Sequence, residues 1–400
     1  MNPSTTAHGE RLYFADWLRI GAFALLVLYH VGMVYVPWDF HVKNDVTYGA
    51  LEPWMRLSNP WRMSLLFVIS GLATGTMLGR PGFARERARR LLLPLLFGMV
   101  VVVPPQSFFE VVQKLGYAGS FVDFLRLYFS GYHGFCTAQG CLRLPTWNHL
   151  WFLPYLWCYT MLLLAALRWL PRSLAQRAAD FVGRLSGWRL LVLPIAFVAL
   201  VRIALFGRFG STHALTDDWF NHATYLPMFL FGVAASRRRE VFERMQALRW
   251  PALTAALIAW AALEAYLAWA AAQPAVPDAL RWLARTLFAT VQWSAVVAAF
   301  GFGHRHLNRD HRWRAALTEA VFPLYVVHQT LIIVAFAALR PSTLRDGIEA
   351  MWLVVFTFAA SLGLWQLARR IGVLRPWLGM NATKPRQSGA PALSSRLTTG

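Results

Sequence analysis

Charge is scarce in this sequence: only 14% of its 400 residues are charged and 57% are hydrophobic. A soluble domain normally carries about 25% charged residues, so that class is excluded. Period-two alternation is missing as well, which argues against a transmembrane β-barrel. There are three cysteines. Cys136 and Cys141 fall in one loop and can pair in an oxidising compartment, but two cysteines with no His or second Cys pair beside them make a poor metal signature. Cys158 lies in an apolar run as a small filler. The strained G-x-S-x-G turn of serine hydrolases is absent. Acidic residues number 19 against 39 basic ones, a net charge of +20. That balance can mean nucleic acid, but its distribution along the chain speaks against it.

What is present is a series of runs long enough to cross a bilayer, which needs about 18–20 apolar residues each. Hydropathy predicts an all-α, polytopic transmembrane bundle of about ten spans. These are Leu18–Val36, Met63–Leu78, Leu91–Pro105, Leu150–Trp169, Leu190–Phe206, Tyr225–Ala235, Pro251–Ala272, Trp282–Gly303, Val321–Leu339 and Met351–Ala368, the sixth extending back toward Trp219. Arginine-rich stretches such as "GRPGFARERARR" and "SRRREVFERMQALR" fall in alternate loops, and the loops between them mix acids and bases. This is the positive-inside pattern, and it predicts both termini in the cytoplasm, with basic loops facing anionic lipid rather than nucleic acid. No cleavable signal peptide is expected, because the first apolar run follows a polar leader and contains Arg19. Residues 1–378 read as one transmembrane domain and 379–400 as a disordered tail rich in Pro, Ser and Thr. With no soluble catalytic domain in view, any chemistry belongs to the membrane part.

The first span, "RIGAFALLVLYH", has Arg19 at one end and His30 at the other. Eleven positions bring them within about 20° of three full helical turns, on one face and about 16 Å apart along the axis. Arg19 at a span end can snorkel to the headgroups. His30 is deeper, where ionisable groups face a cavity or a partner. It is either a structural bridge or a group that exchanges protons near neutral pH.

"DWLRIGAFALLVLYH" resembles the Arg/Lys-x10-His signature of the membrane acyltransferase-3 family, which includes glucan-succinylating proteins of bacterial inner membranes. "SLLFVISG" is similar to that family's F-x-x-S-G segment, "RARRLLLP" to its cytoplasmic R-x-x-R element, and "HLWFLPYL" and "FPLYVVHQTLII" to its later aromatic and histidine-bearing helices. The matches run from about residue 10 to 340 in the family's order. The resemblance implies a multi-pass O-acyltransferase that moves an acyl group, acetyl or succinyl, from cytoplasmic acyl-CoA to a hydroxyl of an extracytoplasmic glycan or lipid-linked sugar. It implies no permanently bound cofactor; acyl-CoA is a donor substrate.

The residues can be read for that task. Arg87 and Arg90, one turn apart, can meet a phosphate of the donor, or they are ordinary positive-inside arginines. His30 is the candidate general base or, alternatively, the nucleophile of an acyl-imidazole, with Arg19 orienting the donor and Asp16 pairing with Arg19. Ser70 is more readily a helix-packing residue than a nucleophile. His149, beside Trp147 and Trp151 at a span mouth, touches the acceptor or belongs to the interfacial aromatic belt. Tyr325 and His328, in the ninth span, are supporting partners or packing contacts. Glu264 is a mid-span carboxylate expected to face the interior with a partner. Trp54, Trp61 and Trp147 are further candidates for stacking on sugars. A second reading is a proton-coupled transporter or flippase using His30, Glu264 and His328, although no internal repeat between the halves supports it.

Overall fold

The computed structural model describes residues 12–138, 140–340 and 344–381, which form an all-α polytopic bundle. Its helices are α1 (Tyr13–Tyr35), α2 (Glu52–Met77), α3 (Phe83–Phe97), α4 (Pro104–Leu115), α5 (Phe121–Phe129), α6 (Phe152–Trp169), α7 (Arg172–Arg184), α8 (Arg189–Val201), α9 (Gly207–Phe209), α10 (Trp219–Ala235), α11 (Glu240–Ala247), α12 (Arg249–Ala271), α13 (Asp278–His306), α14 (Arg314–Leu339) and α15 (Asp346–Arg370). Among the described residues the only strands are a small hairpin, Cys136–Thr137 with Gly140–Cys141, and the two cysteines are joined by a disulfide across it.

Seven helical stretches are long and apolar enough to cross a membrane. An eighth is broken: α3 continues through a π-helical turn, Gly98–Val102, and meets α4 at 42°. The sequence places this span at Leu91–Pro105 and a loop after it. In the structure the helix begins inside the basic loop at Phe83 and resumes beyond the bend. Pro104 and Pro105 supply no amide hydrogens, so the helical ladder breaks there and restarts with a proline in its first turn. Two further predicted spans are helical but too polar or too short to pass on apolarity. Helix α2 carries Glu52, Arg56 and Arg62, and α10 has 17 residues. Both lie against other helices, which relaxes the demand for a lipid-compatible surface. The loops after α6 and α10 contain the short amphipathic helices α7 and α11, whose apolar faces (Ala179 and Val182; Val241, Phe242 and Met245) are buried on the bundle. A window of span length averages such short stripes away.

Helices α2 and α10 pack most closely. A Cβ added to Gly71 would fall 1.9 Å from the Phe229 carbonyl oxygen, and one on Gly232 would fall 2.0 Å from that of Val68. Gly75 meets Ser236 one turn further on. This small-residue seam is how helices associate where lipid offers no hydrophobic drive, and it accounts for the glycine of the "FVISG" segment.

At the end carrying the basic loops, Arg314 ties α14 to α1 through Asp16 at 2.7 Å and also binds Asp310 at 2.7 Å. Asp16 lies 3.6 Å from Arg19, so it pairs with Arg314 as well as with Arg19. Gly379–Asn381, the start of the predicted tail, packs back on the bundle: Met380 is buried and the Asn381 carbonyl accepts from Arg375. Residues 382–400 of that tail lie outside the described residues.

Candidate active site

Three cavities lie in a row along the bundle. The first, about 540 Å³, opens at the basic end between Arg90, Arg312, Thr318, Glu319 and Arg369. The second is narrow, about 90 Å³, and is lined by Arg19, Ser70, Arg87, Arg90, Thr318 and Tyr325 among others. The third, about 440 Å³, lies toward the opposite end and is lined by Tyr29, His30, Arg62, His149, Trp151, Arg202 and Tyr325 among others. Arg90 and Thr318 border both the first and second cavities, and Tyr325 borders both the second and third. The helical face shared by Arg19 and His30 therefore has one end in the middle cavity and the other in the outer one.

His30 has a buried partner. Its Nδ1 lies 2.8 Å from Nε2 of His328, and Nδ1 of His328 lies 2.8 Å from the Tyr325 carbonyl oxygen. A carbonyl can only accept, so His328 carries its hydrogen on Nδ1, and its Nε2 accepts when the ring is neutral. Nδ1 of His30 must then be the donor, which leaves Nε2 as the basic nitrogen of His30. His328 is fully buried and fixes this tautomer much as a carboxylate orients the histidine of a catalytic dyad.

His149 is ruled out as the base by the same logic. Its Nε2 donates to the Val326 carbonyl at 3.0 Å, and its Nδ1 accepts from the Gln106 amide at 3.3 Å. Gln106 also donates to Thr330 at 2.6 Å, and its oxygen accepts from Gln329 and Asn148. With both ring nitrogens occupied, His149 is a buried part of the outer cavity's lining, held to α14 and to Gln106. Tyr325 donates its hydroxyl hydrogen to the His149 carbonyl at 2.8 Å, which holds its ring at the boundary between the middle and outer cavities. Trp151 lines the outer cavity and stacks on His213, centroid to centroid 4.2 Å. His213 is in the loop before α10, and burial lowers its pKa below the ordinary histidine value. That loop is anchored by the buried Asp218, which accepts from the hydroxyl of Tyr155, the side chain of Asn221 and the backbone amides of Thr212 and His213.

Several predicted residues stand elsewhere. Glu264 is interior and partnered, but its partner is Arg56 on α2, bound through Nε at 2.8 Å and Nη2 at 2.7 Å, and it borders none of the three cavities. The path of His30, Glu264 and His328 needed by a transporter is thus not brought together. Glu264→Ala is expected to lower stability on the order of 3 kcal/mol, because it leaves Arg56 with only Glu52. Activity per folded molecule should be unchanged, checked by thermal unfolding and a turnover assay on the same preparation. Trp54, Trp61 and Trp147 do not line the outer cavity; Trp54 tilts against Trp260, and the indole nitrogens of Trp61 and Trp147 donate to backbone carbonyls. Ser70 borders the middle cavity, whose lining among the described residues contains no His or Asp to activate it. Arg87 lines the same cavity, 3.5 Å from the Thr74 hydroxyl.

Sequence reasoning missed Arg62, Arg202 and the Gln106 network. The first two were visible as charges within or beside apolar runs, the signal that singled out Glu264.

Comparison with known proteins settles the family. The model of an acyltransferase domain, Acyl_transf_3, matches residues 12–370. The chain belongs to the acyltransferase-3 family. It is a multi-pass membrane acyltransferase. It is 25% identical to glucans biosynthesis protein C of Salmonella gallinarum, over 91% of this chain and 94% of that protein. It is 24% identical to the protein of the same name from Escherichia coli SMS-3-5, over 98% and 100%. No solved structure matches.

Proposed function

We propose that this acyltransferase takes an acyl group from a CoA thioester entering at the basic end and passes it to a glycan hydroxyl in the outer cavity, with Nε2 of His30 as general base. The observation that carries this reading is the row of cavities. A chain threaded past Arg90 and through the narrow middle space brings its tip to Tyr325, on whose far side His30 lies. The donor's phosphates suit the mouth, where Arg90, Arg312 and Arg369 are grouped. The glycan acceptor is supported by the aromatic and amide lining of the outer cavity and by the relatives' name.

An alcohol becomes a competent nucleophile only as its proton leaves. Nε2 of His30 removes that proton while the alcohol oxygen attacks the thioester carbonyl. The C–O bond forms, the C–S bond breaks, and the imidazolium returns the proton to the departing thiolate. His328, accepting from Nδ1 of His30, disperses the charge that develops on the ring.

The alternating basic loops support ten spans with both termini in the cytoplasm of a bacterium, in its inner membrane. The disulfide at the opposite end fits an oxidising compartment there. In nanodiscs, Arg90→Gln is expected to raise the KM for acyl-CoA at least tenfold and to weaken its salt dependence, with kcat little changed. An unaltered KM would dismiss the proposed entry path.

A further inference from the structure

The outer cavity contains two arginines and, among the described residues, no carboxylate in its lining. Arg62, on α2, is 3% exposed. Its guanidinium carbon lies 4.0 Å from the centre of the Tyr29 ring, Nη1 donates to Ser58 at 3.1 Å, and Nε is buried with no hydrogen-bond partner. Arg202 arises where α8 widens into a π-helical turn, Arg202–Phe206, a distortion frequent at functional sites. Its guanidinium carbon lies 3.5 Å from the centre of the Phe288 ring and 4.4 Å from that of Phe206.

Ring faces stabilise these cations but leave most of their in-plane N–H donors unused. An arginine buried within a membrane protein ordinarily finds an acid. Asp218, a buried acid of the loop before α10, does not line the cavity and already accepts from four donors, on Tyr155, Asn221, Thr212 and His213. Arg62, Arg202 and Tyr225 all line this one cavity. Two ring-stacked guanidinium groups lining one cavity that has no carboxylate in its described lining make a receptor for a planar or tetrahedral oxyanion.

We infer that Arg62 and Arg202 form an oxyanion-binding site in the outer cavity and hold a carboxylate or phosphate carried by one of the two substrates. The inference rests on the proposed reaction only for which substrate bears the anion. The negative group can be the distal carboxylate of a dicarboxylic acyl chain or an anionic substituent of the acceptor.

The full-length enzyme in nanodiscs is to be assayed with acetyl-CoA and succinyl-CoA, each with a neutral glucan oligosaccharide and with the same oligosaccharide bearing a phosphate monoester. Arg62→Gln and Arg202→Gln are expected to reduce kcat/KM at least tenfold for the charged member of one pair and less than threefold for its neutral counterpart. A loss confined to succinyl-CoA assigns the anion to the donor, and a loss confined to the phosphorylated acceptor assigns it to the acceptor. An equal change in all four combinations, or none, overturns the site. Titrating wild-type protein with methyl hydrogen succinate and methyl phosphate, read by tryptophan fluorescence because Trp151 lines the cavity, remains informative if the variants do not fold. Saturable binding of either anion that is absent for N-methylacetamide is expected, and no saturable binding of either overturns the inference. If the wild-type enzyme transfers no acyl group from any thioester, the donor path fails and this titration decides the anion site by itself.

Discussion

His30→Ala lowers acyl transfer by about 10²–10⁴-fold, the usual worth of a positioned general base. The fall is expected in kcat, with the KM for acyl-CoA nearly unchanged, because the donor's phosphate contacts are proposed at the opposite end of the cavity row. His30→Gln should be no better: an amide can still donate to His328, yet it cannot remove a proton. His328→Gln should cost less, about tenfold, because a glutamine oxygen can accept the Nδ1 hydrogen of His30 but cannot disperse charge as an imidazole does. The ordering His30→Ala ≈ His30→Gln well below His328→Gln, which stays below wild type, is the signature of a base with a positioning partner. Glycan ester content measured by mass spectrometry, in cells with matched levels of folded protein, would reveal it. Retention of wild-type transfer by His30→Ala would remove this residue from the mechanism. Replacing His149 should not reproduce the pattern in its pH profile, because both nitrogens of that ring are already engaged.

Gly71→Leu or Gly232→Leu should eliminate folded protein. The obstacle in each case is backbone, at 1.9 Å and 2.0 Å from the new Cβ, and cannot swing aside as a side-chain tip can. Overpacking a tolerant core costs about 1–3 kcal/mol. Here two helices must separate, so the cost exceeds that range and the seam between α2 and α10 opens. Because α2 also presents Arg62 and Ser70 to the outer and middle cavities, partial opening should abolish turnover even in molecules that remain monodisperse. Gly363→Ala is the matched control. Nothing lies within 4 Å of its Cβ position on α15, and alanine is the better helix former, so stability should be equal or slightly higher. The readouts are gel-filtration homogeneity and thermal unfolding by intrinsic fluorescence. A Gly232→Leu protein with wild-type stability would show that the close packing is not what holds this seam.

Most of the fold was legible because spanning a membrane imposes a one-dimensional rule: about 20 apolar residues, with positive loops on one side. Where that rule was relaxed by burial inside the bundle, as in α2, or broken by paired prolines, as after α3, helix boundaries moved. Part of the site was legible for a similar reason. Arg19 and His30 share a face by helical periodicity alone, and Arg87 and Arg90 by the spacing of one turn. The oriented imidazole was not legible: His328 lies 298 positions from His30, and only the packing of α1 on α14 brings the rings together. Glu264 shows the opposite case. Its need for a partner followed from its place in an apolar run, but the choice of Arg56 in preference to a histidine depended on which helix lay beside it.

The amino-acid sequence by itself determined the class of protein, the helices and their approximate ends, and the polar residues that cannot face lipid, because each follows from local composition and a helical repeat. Tertiary structure alone decided which of those polar residues meet, which nitrogen of His30 is left basic, and that Tyr325 divides an inner space from an outer one lined by two acid-free arginines. Pairing and cavity shape arise between helices far apart in the chain, and no local repeat encodes them.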